Sequence, residues 1–421
     1  MHIKKSVIWL TNLILVWLLV FAESSCPASE YEILENLRYR SVRAMGMGNA
    51  FAAIANDGDA FYYNPAGLTN ADGIRVDLQP ARLAITQDFY DEIKDLDQLM
   101  DDINALDASE NPLEDPGLRD ERRRLMDRMK RLLGENLGMD AAAPARVIVP
   151  LHAGDYAVAV GGIVHGWSES QIHVQRRGLH WNDFVKDMLD DRVLYNVTAE
   201  TSYGGAAAIE IPLAILPLEV SLGLGVRRTR RWQLTDKDDL LGIEDVINPD
   251  GKDGVKGTSD DFKERYFDPE DPWDSVSEIK GYNVDIGTMA SFDDSVNFAI
   301  VLQNLIGKIE DDKLPRDFGI SASVNLAKLP TPDVPMLDVI LAAGLDNTDR
   351  SDDSSWIVDK TRLGLEIIWD ISLLALSGRI GSNHGHMTLG AGIQLAFLDF
   401  DYAFFGDQDA NWHAFSLNLA F

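Results

Sequence analysis

Cysteine is nearly absent. The 421 residues hold one, Cys26, which excludes an intramolecular disulfide and a thiolate metal site. Positive charge is scarce as well: 38 lysines and arginines stand against 68 aspartates and glutamates, a formal charge of -30. A nucleic-acid backbone needs a Lys/Arg surface, so that partner is excluded and a self-repelling acidic exterior is expected. No Ser-His-Asp order, zinc motif or phosphate loop stands out. The reading is therefore no enzyme, no catalytic residue, no cofactor and no metal.

The first residues set the compartment. MHIKK is a basic opening, and Ser6 to Ala22 is an uncharged apolar run of 17 residues. Small-residue cleavage sites follow at Ala22 and at Ala28. The pattern reads as a secretory signal peptide over residues 1–28. A retained membrane anchor is the alternative, although 17 residues is the lower limit for a span. A lipid-modified Cys26 is a third reading, but Glu23 stands where an aliphatic residue is usual.

Past residue 140 the dominant signal is alternation with period two. In Asp317 to Leu326 the residues Phe318, Ile320, Ala322, Val324 and Leu326 share a face opposite Asp317, Gly319, Ser321, Ser323 and Asn325. Leu363, Leu365, Ile367 and Trp369 oppose Arg362, Gly364 and Glu366, and Met387 to Phe397 repeats the pattern. Turn signals such as AGDY (Ala153–Tyr156), FDDS (Phe292–Ser295) and GDQDAN (Gly406–Asn411) separate the runs. Short links between alternating strands predict antiparallel hairpins.

Two insertions interrupt the strands. Residues 88–139 carry helical spacing, with Ile93, Leu96, Met100 and Ile103 on one face and Leu125, Met129, Leu132 and Asn136 on another. The first half is acidic and the second basic, which predicts a helical hairpin with paired flanks or a solvated or lipid-facing basic face. Residues 235–274 form an acidic loop. Its stretch Asn248 to Asp261 is calcium-loop-like in composition, yet Lys252 and Asp253 stand where an oxygen ligand and a glycine are required; a solvated loop is the plainer reading. His384 and His386 sit in a predicted turn without a visible third ligand. The run Arg227 to Trp232 (RRTRRW) ends a strand, where it pairs with the Asp-rich loop or meets lipopolysaccharide phosphates.

A soluble sandwich would also alternate. Three features favour a membrane barrel: the export signal, a polar face of Gly, Ser, Asn, Asp and Glu suited to a wet lumen, and a final alternating strand ending on Phe421. In that strand His413, Phe415, Leu417, Leu419 and Phe421 share a face. A sheet in lipid must close, because lipid offers no hydrogen bonds to a free edge.

The stretch Arg43 to Leu68, RAMGMGNAFAAIANDGDAFYYNPAGL, resembles the N-terminal segment of the long-chain fatty-acid transporter (FadL) superfamily of outer-membrane barrels. That superfamily includes the secretion barrel PorV and a group of TraF-like conjugal transfer proteins; the helical insertion is closest in layout to the latter. The resemblance implies an all-β fold: an antiparallel transmembrane β-barrel of about 14 strands (residues 73–421) with an N-terminal hatch or plug (residues 29–72). It carries the hatch motif onto Gly46, Gly48, Asn64, Pro65 and Ala66, and gives Phe421 the role of barrel assembly signal. Gly and Ala permit close backbone approach, Pro65 bends the chain and Asn64 can satisfy turn backbone. A nucleotide fingerprint fails on the same glycines, since Phe51 stands at its third place and no strand precedes it. The implied function is passive transport of hydrophobic small molecules across the bacterial outer membrane; the alternative is a non-transporting scaffold or interaction barrel of a secretion or conjugation system. Implied partners are outer-membrane lipid and lipopolysaccharide, the barrel assembly machinery, and a hydrophobic small molecule or a surface or secretion partner.

Overall fold

The alternating runs become fourteen long strands, each antiparallel to its neighbours. In chain order they are β1 (Arg75–Thr86), β2 (Asn136–Ala153), β3 (Tyr156–Gln175), β4 (Arg192–Leu213), β5 (Leu218–Thr235), β6 (Ser277–Phe292), β7 (Val296–Ile309), β8 (Asp317–Asn325), β9 (Leu337–Asp346), β10 (Thr361–Ile371), β11 (Leu374–Asn383), β12 (His386–Leu395), β13 (Leu398–Gly406) and β14 (Asn411–Ala420). Two-residue ladders at Leu241–Gly242 and Asp312–Lys313 add to β4 and β7. The computed structural model describes residues 41–71, 73–87, 136–153, 156–175, 192–213, 218–235, 241–242, 277–293, 295–310, 312–314, 316–328, 336–346, 360–371, 373–406 and 411–421. The signal-peptide reading, residues 29–40 of the hatch, and nearly all of both insertions lie outside these residues.

β14 pairs with β1, Leu419 facing Leu78 and Phe415 facing Leu83, so the sheet closes into a barrel with no free edge. This is the all-β antiparallel barrel of about fourteen strands that the resemblance implies, built from the alternating strands that the sequence predicts. Side chains divide by parity. Leu363, Ile367 and Trp369 of β10 are exposed on the outer face, while Gly364 and Glu366 turn inward. In β14 Phe415 and Leu417 face out and Ala414 and Ser416 face in. The wall is thus apolar outside and polar or small inside.

Strand length is uneven. β1 has 12 residues, β2 18, β3 20, β4 22, β5 18, β6 16 and β7 14, whereas β8 to β14 have 9 to 11. The connections at Ala153/Tyr156, Phe292/Val296, Ile371/Leu374 and Leu395/Leu398 are short, so the extra length lies at the opposite end. The turn between β11 and β12 puts His384 (φ 52) and Gly385 (φ 87) both in left-handed backbone, as a two-residue hairpin matched to strand twist requires.

Two bulges adjust which residues face inward. Between Leu78 and Arg82 β1 carries one residue more than either partner, and Pro80, which lacks an N–H, falls in this gap. Gln79 and Arg82 both turn inward as a result, where even spacing would have sent one of them out. In β7 the register shifts near Asn304 (φ 53), whose N–H donates to Asp285 at 2.8 Å.

Two boundaries differ from the sequence reading. Asn136, which periodicity assigns to a helix, opens β2 opposite His173. Thr235, assigned to the acidic loop, closes β5 opposite Asn196. In both cases a neighbouring strand supplies backbone partners that local periodicity cannot register.

Candidate functional site: the segment against the inner wall

Residues 41–71 touch strands on both sides of the barrel from its inner face. Their local fold follows from composition. Ser41 Oγ accepts from the Ala44 N–H at the start of a short helix, α1 (Val42–Gly46). Gly48 (φ 61) and Asn49 (φ 57) then reverse the chain, a conformation open to Gly and tolerated by Asn. A second turn, α2 (Ala60–Tyr63), leads through extended Asn64 into a 3-10 turn, Pro65–Asn70, with proline at its first position.

Wall glycines make room for this segment. A Cβ at Gly364 would stand 2.5 Å from Met47 O, one at Gly381 2.5 Å from Gly48 N, and one at Gly390 3.0 Å from Gly46 Cα. On the other wall a Cβ at Gly161 would stand 2.6 Å from Phe61, and Cβ atoms at Gly223 and Gly287 would collide with Pro65–Ala66 and with Asn64. Of the residues the sequence singles out, Gly46 and Gly48 lie against β10 to β12. Asn64, Pro65 and Ala66 lie against β5 and β6. The two groups therefore meet different parts of the wall.

Asn64 is fully buried and fully used. Its Oδ1 accepts from Ala66 N–H (3.0 Å), and its Nδ2 donates to Ala52 O (3.0 Å) and to Thr288 O (3.3 Å) of β6. Other wall side chains satisfy segment carbonyls: Gln303 Nε2 donates to Tyr62 O at 2.6 Å, Ser323 Oγ and Asn297 Nδ2 to Ala53 O at 3.1 Å each, and Thr388 Oγ1 to Gly46 O at 3.2 Å. Buried backbone groups need such partners.

Ion pairs fasten both ends. Arg43 Nε and Nη2 donate to Glu366 Oε1 (3.0 Å) and Oε2 (2.7 Å). Arg379 Nε donates to the same Glu366 Oε1 at 2.8 Å and its Nη1 to Asp401 Oδ1 at 2.7 Å. Across the barrel Arg146 Nη1 donates to Asp59 Oδ1 at 2.6 Å, and the Gly58 N–H donates to Asp77 at 3.0 Å. Burial, and next the charge of Asp57, push the Asp59 carboxyl up to about 6, against the pull of Arg146. Burial likewise drives the Tyr62 hydroxyl well above the usual range. The guanidinium groups of Arg146 (5.7 Å) and Arg227 (5.4 Å) both lie over the Tyr62 ring, with His165 edge-on at 5.5 Å.

An apolar seam runs beside these polar contacts. Phe51, Phe61 and Leu68 pack in one cluster with Ile148, Ile163 and Trp167 of the wall, and Ala159, Ala206 and Ala208 complete it.

The remaining sequence candidates are placed as follows. Phe421 exchanges two backbone hydrogen bonds with Val76 (2.9 and 3.0 Å), and its exposed ring stacks on Phe397 at 5.5 Å. His384 Nε2 accepts from Arg362 Nε at 3.2 Å and faces Asp346 at 3.4 Å; among the described residues no cluster of three or more ligands suited to a metal ion occurs. The RRTRRW run splits by parity. Arg227 and Arg231 point inward to Asp285 (2.8 Å) and Glu200 (2.7 Å), while Arg228 and Arg230 are exposed outside. Sequence reasoning assigned no role to Arg43, Glu366, Arg379, Asp59 or Arg146. Their signal was a charge in the middle of an otherwise small or apolar stretch.

No protein-family model matches this chain, and no curated protein does. Among solved structures it is similar to the Ralstonia pickettii toluene transporter TbuX, with 10% identity over 92% of this chain and 98% of that one, TM-score 0.48. A monoaromatic hydrocarbon channel, CymD, shares 12% identity over 90% and 95% at a TM-score of 0.46. The translocator domain of the autotransporter NalP from Neisseria meningitidis shares 9% over 90% and 99% at 0.33.

Proposed function

We propose that this chain is an outer-membrane β-barrel giving small hydrophobic molecules a passive route, with residues 41–71 acting as the hatch that closes its lumen. The observation that carries this reading is the seating of that segment on two opposite parts of the wall, at Glu366 on one side and Arg146 on the other. The exposed apolar outer face, including Leu224, Val226, Leu363 and Ile393, suits acyl chains. The seam of Phe61, Ile148, Ile163 and Trp167 offers a low-polarity path beside the hatch. A hatch movement would widen it; no energy source is needed for downhill flow. On this reading the chain is a member of the FadL-like superfamily, TraF-like in layout, and Phe421 addresses it to the assembly machinery.

The experiment is uptake of a hydrophobic fluorophore into proteoliposomes. The wild-type barrel passes it slowly, and Glu366→Gln, which removes the wall carboxylate that holds Arg43, passes it faster. A barrel that neither binds nor passes the fluorophore in either form overturns the transport reading.

The second reading, a scaffold barrel for a secretion or surface partner, is favoured by one feature: β2 to β6 exceed the 9–11 residues that a membrane crossing takes. Wall of that height serves contact outside the membrane. Capture of a partner that depends on the long connections, with no solute flux, would decide for it.

A further inference from the structure

Cations are the minority charge of this chain, yet five of them gather on one outward-facing area. Arg228 and Arg230 lie on β5; Lys280 of β6 stands across from Arg230, Lys308 of β7 across from Tyr282, and Lys313 across from Lys308. Among the described residues two carboxylates adjoin them. Glu278 is 3.8 Å from Arg230 and 3.3 Å from Lys280, and the Glu310 N–H bonds Lys280 O. Among the described residues the area is net positive, on a chain of charge -30.

Its height on the wall is specific. Arg228 and Tyr282 face each other in register. Arg228 is the eleventh residue of β5 counted from Leu218, and Tyr282 the eleventh of β6 counted from Phe292, both at the short-turn end. A barrel strand crosses the hydrocarbon in about 9–11 residues. Up to that point the outward residues are mainly apolar, with Val220, Leu222, Leu224 and Val226 on β5 and Val284, Ile286 and Ala290 on β6; Thr288 is the polar one on these two strands. The change from aliphatic to cationic thus falls where acyl chains give way to headgroups. Tyr203, across from Arg228 on β4, is 48% exposed and Tyr282 44%, at the level where amphipathic rings collect.

We propose that this area binds the phosphate groups of the outer-leaflet glycolipid, the lipid A part of lipopolysaccharide. The inference rests on the outer-membrane reading above. Arg228 and Arg230 are two residues apart on one face of a strand, so their Cα atoms stand roughly 7 Å apart and their side chains can reach separate oxygens of one phosphorylated sugar. The guanidinium fork matches phosphate bidentately, Lys280 and Lys308 add point charges on the adjoining strands, and the tyrosines meet the boundary of sugar and acyl chain. The general repulsion between an acidic protein and an anionic leaflet is relieved at this one place.

The test uses the full chain in zwitterionic detergent, with native mass spectrometry against bisphosphorylated lipid A and its dephosphorylated form. Wild type retains the phosphorylated lipid and not the other. The double variant Arg228→Gln/Arg230→Gln weakens retention by about tenfold or more, Arg228→Lys/Arg230→Lys, which keeps the charge and loses the fork, falls between it and wild type, and Glu278→Gln strengthens retention. Equal retention by the Gln/Gln variant, indifference to the phosphates, displacement by millimolar inorganic phosphate, or binding seen only after removal of residues 243–274 overturns the site. Heat-modifiable gel migration separates the two ideas: a membrane-inserted barrel that ignores lipid A sinks the site alone, and a soluble chain sinks both.

Discussion

Glu366 accepts two hydrogen bonds from Arg43, a residue 323 positions earlier in the chain. The carboxylate is wholly buried and shared with Arg379. Removing one charge of an isolated buried pair typically costs about 3–5 kcal/mol, but here Arg43 keeps Asp57 at 3.5 Å and Arg379 keeps Asp401 at 2.7 Å. Glu366→Gln is therefore expected to loosen residues 41–71 by less than that amount while the barrel stays closed. Hydrogen exchange of the Met45 and Gly48 amides should accelerate; unchanged protection would remove Glu366 from this role.

Wall glycines give a second prediction. Gly287→Ala places a methyl on the Asn64 side chain, and Gly223→Ala places one on the Pro65 carbonyl. Each should expose the 41–71 segment to added protease and raise ion conductance in planar bilayers. Gly378→Ala, on the outer side with nothing within 4 Å, is the matched control and should behave as wild type.

Asn64→Ala removes one acceptor and two donor contacts at once. Unsatisfied buried partners cost about 1–3 kcal/mol. The Asn64→Asp variant keeps the acceptor for Ala66 N–H and loses both donations, so it should rescue only in part. Protease half-life of the segment ranks the three proteins.

Acidity gives the fourth. The Asp59 carboxyl rises from 3.8 to about 6 when the segment is seated. A group with a raised carboxyl pKa holds its proton in the seated state after the free state has lost it. Its contribution to seating is complete below pH 3.8 and is lost as pH climbs toward about 6. Amide exchange at Gly58 should therefore quicken between those values. Asp59→Asn, which cannot titrate, should remove that component of the pH dependence; a slope unaltered in the variant assigns it elsewhere.

Much of the wall was legible because a strand writes its two faces into alternate residues. Leu363, Ile367 and Trp369 lie together outside as the alternation required, and the turn residues around Asp293 and His384 mark hairpins. The inward positions were harder. Gly287 and Gly381 read as ordinary polar-face residues until closure brings Asn64 and Gly48 to them. The partners of Arg43 and Arg146 depend on ring closure and strand register, which no local window contains. Arg82 shows the same limit: only the bulge at Pro80 turns it inward beside Gln79, to meet Asp140 at 2.6 Å. Asn136 was misplaced because helical spacing was followed past the point where β3 begins to supply its backbone partners.

The graded strand lengths have a geometric result. A cylinder whose staves run from 9 residues on one flank to 22 on the other is cut obliquely, like a quill. Among the described residues the rim of the ladder therefore slopes, and a partner approaching along the axis would meet strand on the tall flank, at β3 and β4, before it came level with β8 to β14.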